Sequence, residues 1–146
     1  MFRAKKKSAL DKIVDYLSVR DHSEKEIRTK LSMKDFDPED IDEGIELAQE
    51  QGLMIEPTKL AENVSDQLNR KFKGILYINQ YLKSKGLPCV HPNWELEVEK
   101  AKSLALKHLK KNPPYTIEEK QDIYRYLTNR GYADQTINHV IHANSL

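Results

Sequence analysis

The chain has 146 residues, of which 38% are hydrophobic and 32% charged, and its formal net charge is +1. That length suits one ordinary domain, but so few apolar residues suit a thin arrangement of small units better than one deep core. No apolar run approaches the roughly 20 residues that cross a membrane, and a lone cysteine, Cys89, excludes an internal disulfide framework. The N-terminal MFRAKKKSALDKIV has a basic start without an apolar segment of signal-peptide length, so a cytoplasmic protein is expected.

Leu10, Ile13, Val14 and Leu17 recur at helical spacing and predict a first helix from about Ser8 to Val19. Ser23 with Glu26 forms a capping box that opens a short helix carrying Ile27 and Leu31. Asp37-Pro38 supplies a cap and a preformed first-turn residue for a third helix, which carries Ile41, Ile45 and Leu47 and ends at Gly52. A fourth starts near Pro57-Thr58 with Leu60, Ala61, Val64 and Leu68. A fifth runs from about Gly74 to Gly86 with Ile75, Ile78 and Leu82. In LPCVHPNW, residues 87–94, Pro88 and Pro92 remove donors, so the next helix is short, displaced or fused to its successor. A long helix follows from about Asn93 to Lys111, with Leu96, Val98, Ala101, Leu104, Ala105 and Leu109 apolar and Pro113-Pro114 as its stop. Thr116 with Glu119 makes another capping box, before Ile123, Tyr126 and Leu127. Gly131 breaks that helix, and Asp134 caps a last one with Ile137, Val140 and Ile141 inward.

These helices repeat. KQDIYRYLTNRGYADQTINHVI, residues 120–141, overlays EKEIRTKLSMKDFDPEDIDEGI, residues 24–45, at a shift of 96 positions, with Ile27 on Ile123, Leu31 on Leu127, Lys34 on Arg130, Phe36 on Tyr132, Ile41 on Ile137 and Ile45 on Ile141. A shift of 51 puts Ile78 on Ile27, Leu82 on Leu31, Lys85 on Lys34 and Leu87 on Phe36. The expectation is an all-α protein of three tandem three-helix (helix-turn-helix-like) repeats stacked into an elongated curved body, the middle repeat irregular. The expected bounds are 1–56 for the N-terminal helix and first repeat, 57–94 for the second, whose third helix is short or displaced, and 95–146 for the third.

Charge is unevenly spread. Between Lys34 and Lys59 there is no basic residue but nine acidic ones, whereas residues 57–94 carry six Lys or Arg against Glu62 and Asp66. Such separation orients a protein on a polyanion even without net charge; ordinary solvated helix faces are the other explanation. The candidate binding cations are Arg70, Lys71, Lys73, Lys83 and Lys85 of the middle unit, since cations on phosphates release condensed counterions. Tyr77 and Tyr81 lie four residues apart on the same helix, where a ring stacks on bases or fills the core. Arg125 and Arg130 join them from the corresponding repeat positions. Lys5-Lys6-Lys7 reads as a basic arm, and the acidic helix 37–51 as a solvated face or a contact for a basic partner.

Catalytic and metal signals are weak. His139 and His142 lie three apart on a helix without a third ligand, and Cys89 and His91 sit in a proline loop without partners. There is no glycine-rich phosphate loop or nucleophile elbow, and Trp94 is expected to anchor the proline loop on the core. No cofactor, no metal and no enzymatic activity are expected.

Three stretches in this order carry a resemblance: SEKEIRTKLSMKDFDPEDIDEGIELAQEQGLM (23–54), RKFKGILYINQYLKSKGL (70–87) and IYRYLTNRGYADQTINHVI (123–141). In their spaced apolar, basic and glycine positions the chain resembles the RecX family of bacterial regulatory proteins over essentially its full length. The resemblance implies three tandem three-helix repeats and a partner, the RecA recombinase filament on single-stranded DNA. It implies a regulator, expected as a monomer, that lodges in the filament groove. There it restrains RecA's ATPase, strand-exchange and coprotease activities in homologous recombination, DNA repair and the SOS response. Free single-stranded DNA would be bound weakly or through the filament. A helical-repeat DNA-binding protein, or a scaffold for another protein partner, stays open as the alternative.

Overall fold

A computed structural model describes residues 7–144, so Lys5 and Lys6 of the basic arm lie outside the described residues. Among those described, the chain is helical without strands: α1 (Ala9–Val19), α2 (Glu24–Met33), α3 (Pro38–Glu50), α4 (Pro57–Arg70), α5 (Ile75–Ser84), α6 (Trp94–Leu109), α7 (Ile117–Asn129) and α8 (Asp134–Ile141). It divides into two compact units, one running up to Ala61 and including Ser84–Pro88, the other formed by Glu62–Lys83 and the chain from Cys89 onward.

In the first unit, helix starts are fixed by short polar side chains. The Ser8 hydroxyl accepts from the Asp11 N–H while the Asp11 carboxylate accepts from the Ser8 N–H, and Ser23 and Glu26 repeat the arrangement at α2. At α3, Pro38 takes the first position as expected, but Asp37 makes no side-chain capping bond. Glu39 and Asp40 place carboxylates in that first turn, where the helix dipole favours them. Ile13, Ile27, Leu31, Ile41, Ile45 and Ala48 close the core between α1, α2 and α3. Val14 is 46% exposed, because one step beyond Ile13 turns it about 100° off that stripe. Gly44 admits α1 against α3, since a Cβ there would stand 2.9 Å from the Ala9 Cβ.

In the second unit, Ala101, Leu104, Ala105, Ile123, Leu127, Ile137 and Val140 bind α6, α7 and α8 around one core, with Tyr132 among them. Thr116 and Glu119 form the predicted box at α7. Asp134, however, is the first residue of α8 and caps nothing. Ala133 holds the cap position, and the Asp134 carboxylate instead accepts from the Tyr124 hydroxyl at 2.8 Å. The long helix α6 is capped by Asn93 and ends at Leu109, on a left-handed Lys110 (φ 57°), before its prolines are reached. No helix forms across residues 85–93, where Asn79 instead clasps both backbone groups of Val90, accepting from its N–H at 2.9 Å and donating to its C=O at 3.1 Å. Trp94 does not anchor that loop in a core. It is 41% exposed and stands edge-on to the His139 ring at 5.6 Å.

The residues that follow α2, α5 and α7 share one backbone conformation. Asp35 (φ 64°), Gly86 (φ 70°) and Gly131 (φ 89°) are all left-handed, and they stand at the same shifts, 51 and 96, that align the sequence with itself. A left-handed residue there lets the next N–H turn back on the last helical turn, as Phe36 does to Leu31 and Tyr132 to Leu127.

Candidate functional site

Five successive residues, from the turn after α4 into the first turn of α5, each make a tertiary hydrogen bond. The Phe72 carbonyl accepts from the Tyr132 hydroxyl at 2.8 Å, and the Lys73 carbonyl from the Lys100 ammonium at 2.7 Å. The Gly74 N–H donates to the Arg130 carbonyl at 3.0 Å, the Ile75 N–H to the Glu97 carboxylate at 2.7 Å and the Leu76 N–H to the Gly131 carbonyl at 2.9 Å. The turn after α4 is thereby stapled to the turn after α7, and both rest on α6. Two of the sequence-derived cations, Lys73 and Arg130, ride on these two turns, with Arg70 and Lys71 exposed at the start of the first.

Rings line the cations. The Lys73 ammonium sits 4.6 Å from the Tyr77 centroid, and the Arg130 guanidinium 4.9 Å from that of Tyr126. His108 stacks on the same Tyr126 ring at 4.1 Å and 13°, while Lys107 stands 5.5 Å from the Phe72 ring. Tyr77 is 36% exposed and Tyr81 37%, so neither fills the core. Lys83 is exposed at the far end of α5, and Arg125 is exposed on α7 beside Tyr126.

Lys85 belongs elsewhere. It lies in the first unit, where its carbonyl accepts from the Ser23 hydroxyl and its ammonium is 3.7 Å from Glu26. Burial raises the Glu26 pKa, but hydrogen bonds from Arg20 and the Ser23 N–H, with the charges of Arg20 and Lys85, hold it below the usual carboxylate range. Lys85 is therefore engaged with a carboxylate that stays ionised.

Beneath the stapled turns lies an ion pair absent from the sequence reading. Glu97 and Lys100, three residues apart on α6, have side chains only 4% exposed. The ammonium also donates to the Asn69 side-chain oxygen at 2.6 Å, and no buried side-chain polar atom among the described residues lacks a partner. Burial, with the nearby Glu97 carboxylate, pushes the Tyr132 phenol far above its ordinary range, so its hydroxyl stays a donor to Phe72 at any physiological pH. The signal for the pair was present, since Glu97, Lys100, Ala101 and Leu104 fall on one stripe at 3.6-residue spacing. Two charges on an inward stripe imply a buried pair. Lys107 and His108 carried no such signal, because their relation to Phe72 and Tyr126 is tertiary.

The remaining chemical groups stay dispersed. Cys89 and His91 are exposed, His139 meets Trp94, and His142 lies 3.4 Å from the Lys120 ammonium. Among the described residues no group of three or more His, Cys, Asp or Glu is placed to hold a metal ion, and no helix is long and apolar enough to cross a membrane.

Fold and site together define the class: an all-helical protein of small capped units that displays cations and rings on stapled turns. A family model described as RecX, first three-helix domain, matches residues 9–46. The chain is 30% identical over 145 residues to Regulatory protein RecX of Chlorobaculum tepidum, covering 97% of this chain and 91% of that one. It is 31% identical over 139 residues to Regulatory protein RecX of Cronobacter sakazakii, covering 84% of each. The chain belongs to the RecX family. A crystal structure of regulatory protein RecX superposes with a TM-score of 0.72 at 26% identity, over 90% of this chain and 70% of that one. The crystal structure of RecX from Lactobacillus salivarius gives 0.76 at 23% identity, over 91% and 92%, and at that identity supports the fold.

Proposed function

We propose that this chain binds the RecA filament assembled on single-stranded DNA and restrains its ATPase, strand-exchange and coprotease activities, with no catalysis of its own and in the cytoplasm. One observation carries the reading: similarity along 97% of the chain to a protein named as a regulatory protein of this family. The stapled turns support it physically. Arg70, Lys71, Lys73 and Arg130 belong to one compact unit, and cations on a phosphate backbone release counterions in proportion to their number. Contacts made to neighbouring filament subunits would oppose the subunit rearrangements that accompany ATP turnover. Arg125 and Lys83 extend the same set, Tyr77 and Tyr81 offer rings for stacking, and Lys85 contributes from its ion-paired position.

The test is the ATPase rate of RecA on single-stranded DNA during titration with this protein, with co-sedimentation of the filament alongside. Inhibition with co-sedimentation is expected. No binding and no change in rate on the cognate filament would sink the proposal and leave a helical protein whose partner must be captured.

A further inference from the structure

The Glu97–Lys100 pair costs more to bury than two apolar side chains of similar volume, so α6 does not need it for packing alone. Its hydrogen bonds run in one direction. The ammonium donates to Asn69 and to the Lys73 carbonyl, and the carboxylate accepts from the Ile75 N–H. The Lys73 carbonyl lies in the turn that carries Lys71 and Lys73, and the other two partners flank it, Asn69 in the last turn of α4 and Ile75 at the start of α5. That turn also holds Phe72 at φ 60°, a conformation that L side chains rarely adopt and that needs support from outside the turn.

We infer that Glu97 and Lys100 are positioning residues for the cation surface, fixing the 69–75 segment, from the end of α4 to the start of α5, so that Arg70, Lys71 and Lys73 meet a polyanionic partner in one arrangement. The pair cannot itself touch that partner, because both side chains are shut away from solvent. Its influence passes through the Lys73 carbonyl and the Ile75 N–H. The inference rests on the reading of those cations as partner-facing, and the experiment separates the two.

The protein is titrated onto RecA filaments built on a labelled oligothymidylate, at several salt concentrations and well below the melting temperature. The double variant E97Q/K100M removes both charges together, so no lone ion is left buried, and the amide oxygen that replaces the carboxylate still accepts from the Ile75 N–H. It is expected to retain its helical circular dichroism, to bind roughly tenfold more weakly and to lose about one from the salt slope. Adding K73A in that background should cost nothing further, since the turn no longer presents Lys73. A purely structural role would lower the melting temperature but leave the salt slope and the full K73A cost intact. If E97Q/K100M binds like the parent while K73A weakens binding, or if the two losses add, the positioning role is overturned and the cation surface stands. If R70A/K71A/K73A binds as tightly as the parent, the cation surface fails, and the inference with it. Should the double variant not fold, Asn69→Ala removes one acceptor of the ammonium, leaves both charges in place and carries the same comparison at smaller amplitude.

Discussion

Gly74 has no room for a side chain. A Cβ there would stand 2.4 Å from both the carbonyl carbon and the oxygen of Gly131, and one on Gly131 would stand 2.4 Å from the Tyr77 Cβ. Backbone atoms such as those of Gly131 cannot rotate away as the end of a flexible side chain would. Gly52 offers the contrast: its φ is 68°, yet nothing lies within 4 Å of where a Cβ would go. Gly74→Ala is therefore expected to destabilise the protein by about 2–4 kcal/mol, the range of severe overpacking. Gly52→Ala should cost about 1 kcal/mol, the left-handed penalty alone. Urea midpoints measured for both variants check the ordering. Equal losses would mean that the close approach of the two turns is not present in solution.

At the scale of elements, the elbow between α1 and α2 is built around a buried histidine. His22 is 2% exposed, with Nδ1 3.0 Å from the Arg20 carbonyl and Nε2 2.7 Å from the Lys30 ammonium. The Tyr16 ring lies 5.8 Å away, and Glu26 pairs with Arg20 at 2.6 Å on the α2 side. Burial, reinforced by the Arg20 and Lys30 charges, lowers the His22 pKa against the opposing pull of the Arg20 carbonyl and Glu26. The neutral ring donates to Arg20 and accepts from Lys30; a protonated ring would face an ammonium with no lone pair to offer. Because the folded-state pKa lies below the unfolded one, the stabilisation is complete above about pH 6.5 and is lost as pH falls through the lowered value. The parent should thus lose urea stability between neutrality and mild acid, at up to about 1.4 kcal/mol per pH unit, and His22→Gln should lose less. Parallel curves for the two would refute the assignment. Glu26 acts in a separate window, since its lowered pKa withdraws stability only at more acid pH.

The same elements show what sequence patterns carry. The capping boxes at Ser23 and Thr116 were legible because their partners lie three residues away, and the breaks at Gly86 and Gly131 because a left-handed position selects glycine. Asp37 and Asp134 had the residue type of a cap but not its geometry, which depends on competing partners such as Tyr124. The coincidence of Asp35, Gly86 and Gly131 at the sequence shifts supports reading the chain as three copies of one helical unit. The stapling of Gly74 to Arg130 was illegible, because it joins residues far apart in sequence through backbone groups that every residue possesses. Of the cations on the stapled turns, Lys73 and Arg130 could be named from the sequence, while Lys107 and the framework that holds the turns could not.

For the whole molecule, the net charge of +1 is the difference between two unlike parts. By sequence, the unit running up to Ala61 with Ser84–Pro88 holds 12 basic and 14 acidic residues, and the other holds 12 basic and nine acidic, giving −2 and +3. The second unit has the sign that attracts a polyanion and carries the stapled turns. Helix α3 exposes Glu39, Asp40, Asp42, Glu43, Glu46 and Glu50 in the place where a helix-turn-helix protein would carry its groove-reading helix, and phosphate would repel it. If α3 is a solvated face, its effect on a polyanion is felt only through the long-range field. That field reaches about 30 Å at 0.01 M ionic strength but only about 8 Å at 0.15 M. Neutralising three of its charges with E39Q/E43Q/E46Q should therefore tighten the proposed filament binding at low salt and change it less than about twofold at physiological salt. Reversing the cations with R70E/K71E/K73E should weaken binding at both, by roughly 100-fold or more at low salt, and lower the salt slope by about three. Fluorescence anisotropy across a salt series measures both variants against the parent. Loss of binding in the α3 variant at physiological salt would instead show that the acidic helix touches a basic surface of the partner directly, and that the filament is held through opposite charges on the two units.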